Sequence, residues 1–499
     1  MPDGPSADRP DEDRLVQTAA SWLLFVGDRV VKVKKPIRAG QHDLSSRPQR
    51  QIACRREVEL NRRLAPDVYL DVLDVAGSGG HPCEHAVLMR RLPACRRLAD
   101  LATAGANIRK DIRQVAERVA ALHVTGARSS SIDRAGLPES LRTRWEAYLA
   151  ALATDPTGQP DPLLLARIRD RAHRYLVGRV PLLEQRIRSG AIVDGHGDLV
   201  ATSIFCLPDG PRILGRADND ALRHGDVLAD IACLAMDLER LGVPAEAAAL
   251  LDDYRHATGT DHPASLAHWY VACQAVGRAA AALAPAAQAG TQDADGGTAE
   301  ATRLLEMADR HLAAGRVRLV LVGGLPGTGK STIAEALSGR YGWPVVRADL
   351  IRAQLAAPAS RPTGWQGRNG ARPEWPGATY STLLDRAAEL LSLGQSVLLD
   401  ATWTEPMHRA AAARLARRSA ADLIVLQCHA TADLALTRIA SRPPGGHAAD
   451  SPDVETDAYY QLAAHTGDWP DATRLDTGQP LPETIAAALR AVNHDHTAG

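Results

Sequence analysis

Lysine is almost missing from this chain of 499 residues. Of its 58 basic residues only five are lysine, Lys32, Lys34, Lys35, Lys110 and Lys330, and the other 53 are arginine. Where any cation serves, arginine has been used, so the surviving lysines mark places where a compact, mobile ammonium is not replaced by a planar guanidinium. An excess of charge of one sign is missing too: 58 basic and 59 acidic residues leave a formal net charge of -1. That argues against a protein that grips nucleic acid irrespective of sequence, which needs a basic excess or a basic block. The seven cysteines, Cys54, Cys83, Cys95, Cys206, Cys233, Cys273 and Cys428, are odd in number and form no C-x-x-C pair. Neither a disulfide framework nor a zinc cage is indicated. No run of about 18 apolar residues occurs, and the opening MPDGPSADRPDEDR has no apolar stretch of the kind a signal peptide requires. A soluble protein of the reducing cytosol, without a membrane partner, is expected.

What remains is a globular composition, 45% hydrophobic and 23% charged. At roughly 100 to 200 residues per domain the length calls for two large domains. Residues 1–14 are predicted to be disordered, and residues 15–287 to form a first domain. Residues 288–300, QAGTQDADGGTAE, lack any apolar period and read as an exposed linker to a second domain over 301–499.

In the first domain, residues 21–37, SWLLFVGDRVVKVKKPI, place two β-prone runs about Gly27-Asp28, the pattern of a tight hairpin. Lys32 and Lys34 share one face of the second strand, because strand side chains alternate. A helix over about 51–64 carries Glu57. Helical patterns then dominate to about residue 190, and a short strand at 191–193 leads into Asp194-Gly195-His196-Gly197-Asp198-Leu199. Residues 203–214, turning at Asp209-Gly210, read as a second hairpin, and helices resume from 226.

The second half alternates apolar runs at 317–322, 345–348, 397–399, 423–427 and 473–475 with helices, which predicts parallel βαβ units in a doubly wound sheet. Directly after the first run, Gly324-Leu325-Pro326-Gly327-Thr328-Gly329-Lys330-Ser331 fits the phosphate-loop pattern G-x-x-x-x-G-K-[ST]. Its glycines, Gly324, Gly327 and Gly329, let the backbone N–H groups of the loop, with Thr328 and Thr332, close round phosphate oxygens at a helix N-terminus. Lys330 reaches the β and γ phosphates and Ser331 ligates Mg2+, so ATP and Mg2+ are the expected cofactors.

The trio GGLPGTGKST, VVRADLIR and SVLLDATW, with an arginine-bearing segment TADLALTRIASRPP after it, resembles the small P-loop kinases and AAA-type ATP-binding domains. That group includes chloramphenicol phosphotransferase, gluconate kinase and polynucleotide kinase, and the resemblance covers residues 317–489. It implies that Asp349, at the end of the second strand, orients an acceptor hydroxyl and takes its proton. Arg352, three residues on, would neutralise phosphate. Asp349 also suits a helix cap, and Asp400 suits a cap, a Mg2+ ligand or an acceptor contact. Arg438 and Arg442 would be lid residues that stabilise charge during phosphoryl transfer. Residues 358–376, with Trp365, Arg368, Arg372 and Trp375, form a long loop of the kind that binds an acceptor.

The first domain, through KVKKP, REVELNRRLAP, His196 to Leu199 and DVLADIACLAMDLERLG, resembles the aminoglycoside phosphotransferase branch of the protein-kinase-like fold, fused to a P-loop kinase. The resemblance implies an α+β protein-kinase-like N-terminal domain followed by an α/β P-loop domain with a mainly parallel sheet. It also implies that Lys32 (with Lys34 its rival) pairs with Glu57 on the nucleotide phosphates, and that Asp198 positions the acceptor hydroxyl. Yet the family's metal-binding Asn is Ser203 here, and its metal-binding acid falls at Leu214 or Gly215; Asp218 or Asp220 could substitute only with a rearranged loop. A degenerate kinase site is therefore expected beside an intact P-loop. The whole predicts an ATP-dependent phosphotransferase acting on a small-molecule hydroxyl. The alternatives are an ATP-binding regulatory protein with slow hydrolysis and a nucleic-acid 5′-end kinase, the latter disfavoured by the neutral charge.

Overall fold

The computed structural model describes residues 13–18, 20–39, 42–77, 80–153, 160–289, 294–356, 375–441, 459–464 and 466–494. Residues 1–12 of the predicted disordered N-terminus lie outside this set. The chain divides into two compact units, one of residues 1–169, 183–262 and 267–312, the other of 170–182, 263–266 and 313–499. Among the described residues no helix is long and apolar enough to cross a membrane.

In the first unit the expected hairpin forms: β2 (Ser21–Val26) and β3 (Arg29–Lys34) follow β1 (Arg14–Gln17), and Val26 pairs with Arg29 across the turn. Gly27 takes φ 52°, a left-handed position that such a tight turn requires. Helix α1 (Arg47–Arg62) carries Glu57. Two further strands, β4 (Tyr69–Ala76) and β5 (Pro82–Arg90), complete an antiparallel sheet in the order β1-β2-β3-β5-β4. They correct the helical reading of this region. Val72, Val75 and Val87 fit a pleated surface, and what makes them strands is pairing: β5 with β3, more than fifty residues away for Val87 opposite Lys32, and β4 with β5. Cys54 and Val58 of α1 pack with Val68, Tyr69 and Val87 in one core cluster, which presses the Glu57 face of the helix onto the sheet.

Beyond the sheet, β6 (Ile192–Asp194) leads into the 195–199 turn, and β7 (Ile204–Leu207) pairs antiparallel with β8 (Gly210–Ile213). Helix α2 (Val227–Arg240) is buried from Val227 to Leu238, acids included, with Asp226 as its N-cap. Helix α3 (Ala264–Ala289) is followed by α4 (Ala294–Ala314). Helix α4 takes in residues 294–300, which the composition assigned to a linker. Of its two glycines, Gly297 lies against the Ala282 carbonyl, only 3.0 Å from where a Cβ would sit. The helix as far as Leu312 belongs to the first unit.

The second unit is built on a fully parallel sheet. Its strands are β9 (Arg318–Gly323), β10 (Val345–Arg347), β11 (Val397–Asp400), β12 (Asp422–His429) and β13 (Thr473–Asp476), in the order β10-β11-β9-β12-β13. The predicted runs all become strands, displaced by a residue or two. Val320, Val322, Leu398, Ile424 and Leu426 form the core with Ile333, Ala334 and Leu337 of helix α5 (Lys330–Tyr341) and with Ala488 and Val492. The strand leading to the phosphate loop therefore lies at the sheet's centre. Its C-terminal end opens where open α/β sheets bind ligands.

Candidate functional site

The loop from Gly324 to Gly329 joins β9 to α5. Gly327 (φ 77°) has no room for a Cβ, because the Ala435 backbone lies against it. Thr328 is buried and donates to the Leu325 carbonyl at 2.7 Å, and the Gly324 N–H reaches the Thr402 carbonyl at 3.3 Å. Lys330 Nζ donates to the same Leu325 carbonyl at 2.9 Å, so the ammonium lies folded over its own loop. Thr332, exposed in the first turn of α5, adds a backbone N–H.

Ser331 Oγ donates to Asp400 Oδ2 at 2.6 Å. The two residues are brought together because β9 and β11 are neighbours, with Val322 in register with Asp400. Asp400 is 6% exposed. Burial pushes its carboxyl above the ordinary value, while Lys330 and the Ser331 hydroxyl act in the opposite direction. A hydroxyl and a carboxylate at the mouth of a phosphate loop are oxygen donors of the kind Mg2+ takes alongside phosphates and water, so this pair fits the metal.

Asp349 does not end the strand as expected. Strand β10 ends at Arg347, and Asp349 lies in the first turn of helix α6 (Ala348–Ala356). Its two oxygens face Arg347, Nε to Oδ1 at 3.2 Å and Nη2 to Oδ2 at 2.9 Å, and Oδ1 accepts the Leu350 N–H at 2.8 Å. Burial pushes the carboxyl upward, but the guanidinium and the amide outweigh it and hold Asp349 below the usual carboxylate range. Arg347 stands in register with Asp400 and feels both carboxylates. Arg352 is exposed and has no ion pair or hydrogen bond among the described residues. Arg438 donates to the Thr477 carbonyl at 2.8 Å and stands beside the phosphate loop, with Nη1 3.9 Å from where a Gly329 Cβ would be. Arg442, Trp365, Arg368, Arg372 and the lid residues 443–451 lie outside the described set; Trp375 begins the helix Trp375–Ser392.

Two residues that the sequence reading passed over complete this crevice. Trp403 is buried with φ 53°, an outlier for a bulky residue. Its N–H donates to the Tyr380 hydroxyl at 3.0 Å, which holds the turn whose Thr402 carbonyl meets the phosphate loop.

In the first unit both rival lysines meet Glu57: Lys32 Nζ lies against Oε1 and Lys34 Nζ against Oε2, each at 2.7 Å. The 196–198 turn hangs on Asp230 of α2, which accepts the N–H groups of His196 at 2.5 Å and Gly197 at 2.8 Å and a contact from His123 Nε2 at 3.0 Å. Asp237, one heptad on, accepts the Ala201 N–H at 2.8 Å. Two acids in the otherwise apolar VLADIACLAMDL were the signal for this support. Asp198 is half exposed, 4.0 Å from Arg278. Its surroundings push its carboxyl up by desolvation, against the pull of Arg278.

The positions where the resemblance places metal ligands offer little to Mg2+. Leu214 packs against the core cluster of Cys54 and Val58, Gly215 has no side chain, and Ser203 offers a neutral hydroxyl. Among the described residues no group of three or more His, Cys, Asp or Glu is placed to hold a metal.

A family model described as "AAA domain" matches residues 319–464, the stretch that carries the phosphate loop, Asp349 and Asp400. The uncharacterized protein Rv2004c of Mycobacterium tuberculosis (strain ATCC 25618 / H37Rv) is 35% identical over 492 residues, covering 97% of this chain and 96% of that protein. Among solved structures, a choline/ethanolamine kinase family protein from Mesorhizobium loti is similar at 17% identity over 62% of this chain and 93% of that chain, with a TM-score of 0.40. A sugar kinase from Janibacter sp. HTCC2649 is similar at 21% identity over 36% of this chain and 95% of that chain, with a TM-score of 0.27. From end to end, the chain belongs to the same family as the M. tuberculosis protein, and its C-terminal part is an AAA-type P-loop domain.

Proposed function

We propose that the P-loop domain moves the γ-phosphate of ATP to a hydroxyl of a small molecule, and that the first unit binds a ligand or regulates rather than catalyses. The observation that carries this reading is the pairing of Ser331 with Asp400 at the mouth of the Lys330 loop, one strand from the Arg347–Asp349 pair. Ser331 and Asp400 would hold Mg2+, which when bound neutralises charge on the phosphates. The loop amides and Lys330 bind the phosphate chain. Asp349, held ionised by Arg347, orients the acceptor hydroxyl and takes its proton late. That suits a loose transition state, in which the bond to the leaving oxygen is largely broken before the acceptor bond forms. Arg438, beside Gly329, stabilises the charge that passes to the leaving phosphate.

The test is ADP release measured across aminoglycosides, sugars, nucleosides and other hydroxyl compounds. One class of acceptor should accelerate release, and Asp349→Asn should lower that stimulated kcat by about 100-fold with little change in the KM for ATP. Slow release indifferent to every hydroxyl compound would instead identify an ATP-driven switch. Stimulation confined to a 5′-hydroxyl oligonucleotide would identify a kinase of nucleic-acid ends.

A further inference from the structure

We propose that Tyr380 is a positioning residue of the nucleotide site: its hydroxyl holds the turn after β11, and through that turn the first residues of the phosphate loop, in the conformation that takes ATP. The inference rests on the reading of the P-loop domain as the ATP site, and it adds a residue that the loop's own pattern does not contain.

The turn and the loop meet at three successive residues. The Ala401 N–H reaches the Val322 carbonyl at 3.3 Å, the Trp403 ring lies 3.2 Å from where a Gly323 Cβ would be, and the Thr402 carbonyl accepts the Gly324 N–H at 3.3 Å. Asp400, whose carboxylate accepts the Ser331 hydroxyl, is the residue immediately before this turn. A displacement of the turn therefore reaches the opening glycine of the loop and the carboxylate beside its serine together.

The backbone of the turn is strained. Trp403 takes φ 53°, which is costly for a bulky residue and persists only where the surroundings enforce it. Tyr380 supplies part of that enforcement through one oxygen. Its Oη accepts the buried Trp403 N–H at 3.0 Å and lies 3.2 Å from Thr402 Oγ1, so it touches both residues at the bend. Burial pushes the phenol above its ordinary value, so the hydroxyl keeps its proton and can donate to Thr402 while it accepts from Trp403.

The tyrosine is itself fixed by its neighbours. Its ring stacks on His408 with centroids 3.9 Å apart and planes at 10°, and meets Trp403 edge-on at 5.0 Å. A phenylalanine would keep those ring contacts and lose only the oxygen. The Trp403 N–H would then be buried without an acceptor, which favours a turn relaxed towards negative φ and away from Gly324. The loop amides would no longer be held ready for phosphate, and part of the binding energy would go into restoring the turn.

The experiment measures binding of ATP with Mg2+ to the full chain by calorimetry. Tyr380→Phe should weaken the component that Lys330→Ala removes by about ten-fold. Thr402→Val, which leaves Trp403 its acceptor, should weaken it by about three-fold, and it supplies the test should Tyr380→Phe not fold. The double variant should bind no more weakly than Tyr380→Phe alone, because both substitutions act through one turn. Tyr341→Phe, which removes the hydrogen bond to Asn493 Oδ1 elsewhere in the same unit, should leave the affinity unchanged. Affinity in Tyr380→Phe equal to that of the parent chain, losses that multiply in the double variant, or an equal loss in Tyr341→Phe would each overturn the positioning role and leave the P-loop reading intact. Binding undiminished by Lys330→Ala would overturn both.

Discussion

Lys330→Ala is expected to lower kcat/KM for ATP in the phosphoryl-transfer reaction by about a thousand-fold, close to 4 kcal/mol of transition-state stabilisation. The size of the effect follows from what surrounds the side chain. Nζ lies 2.9 Å from the Leu325 carbonyl, inside the loop expected to hold the phosphates. Its charge also opposes the upward push that burial gives the Asp400 carboxyl. The truncation therefore removes a cation from the phosphate chain and, in the same step, makes ionisation of the neighbouring carboxylate harder. Ser331→Ala and Asp400→Asn should produce a loss that excess Mg2+ partly recovers, because they remove oxygens that would hold the metal rather than the charge on the phosphates. ATP turnover in Lys330→Ala equal to that of the parent chain, measured as acceptor-dependent ADP release, would refute the assignment of the reaction to this loop.

The contrast between the two sites shows which features of a sequence can be read directly. The phosphate loop was legible because its function depends on a contiguous stretch, in which glycines, a lysine and a hydroxyl stand at fixed offsets between a strand and a helix. Ser331 was legible for the same reason, whereas Asp400 was left open between a cap, a Mg2+ ligand and an acceptor contact; their 2.6 Å contact followed once β9 and β11 were neighbours. Arg347 was not legible. In a chain with 53 arginines one more carries no signal, and only the fold shows that this one grips Asp349. Strands β4 and β5 were missed because what makes them strands is pairing, of β5 with β3 and of β4 with β5, which local periodicity does not record. Helix α4 was obscured by Gly296 and Gly297, both poor helix formers, of which Gly297 alone packs closely, against the Ala282 carbonyl.

Scarcity was the more useful guide. Four of the five lysines fall in the phosphate loop or on the hairpin of the first unit: Lys330 in the loop, Lys32 and Lys34 on Glu57, and Lys35 hydrogen-bonded to the Thr18 carbonyl. The second unit combines a lysine with oxygens that suit a metal; the first combines two lysines with positions that do not.

Lowering the pH from 7 to about 4 is expected to cost the first unit on the order of 6 kcal/mol of stability, comparable with the 5 to 15 kcal/mol that holds a typical domain together. Two buried histidines carry this. His196 is fully buried behind the 195–199 turn, with Nε2 3.1 Å from the Leu214 carbonyl, and burial pushes it down to about 4. His268 on α3 lies with Nδ1 2.9 Å from Nδ1 of His311, whose other nitrogen meets Glu239 at 3.0 Å; burial first and His311 second push it down to about 4 as well. In the unfolded chain both titrate near 6.5. A histidine whose folded value is depressed contributes its stability above the unfolded value and loses it as the pH falls towards the folded one, so the window runs from about 6.5 down to about 4. Each shift is worth roughly 3 kcal/mol at its limit. Below that window Asp230, whose carboxyl is held down by His123 and the turn amides, begins to lose its own contribution, and the support of the Asp198 turn goes with it. Hydrogen exchange of the full chain, followed peptide by peptide between pH 7 and pH 4.5, should show protection falling in residues 191–240 and 264–283, with an uptake near two protons per unfolding event. His268→Gln should bring that uptake to about one and make the variant less sensitive to acid than the parent chain. Equal slopes in the two chains would show that His268 titrates normally, and that the three-helix contact with His311 and Glu239 is open to water.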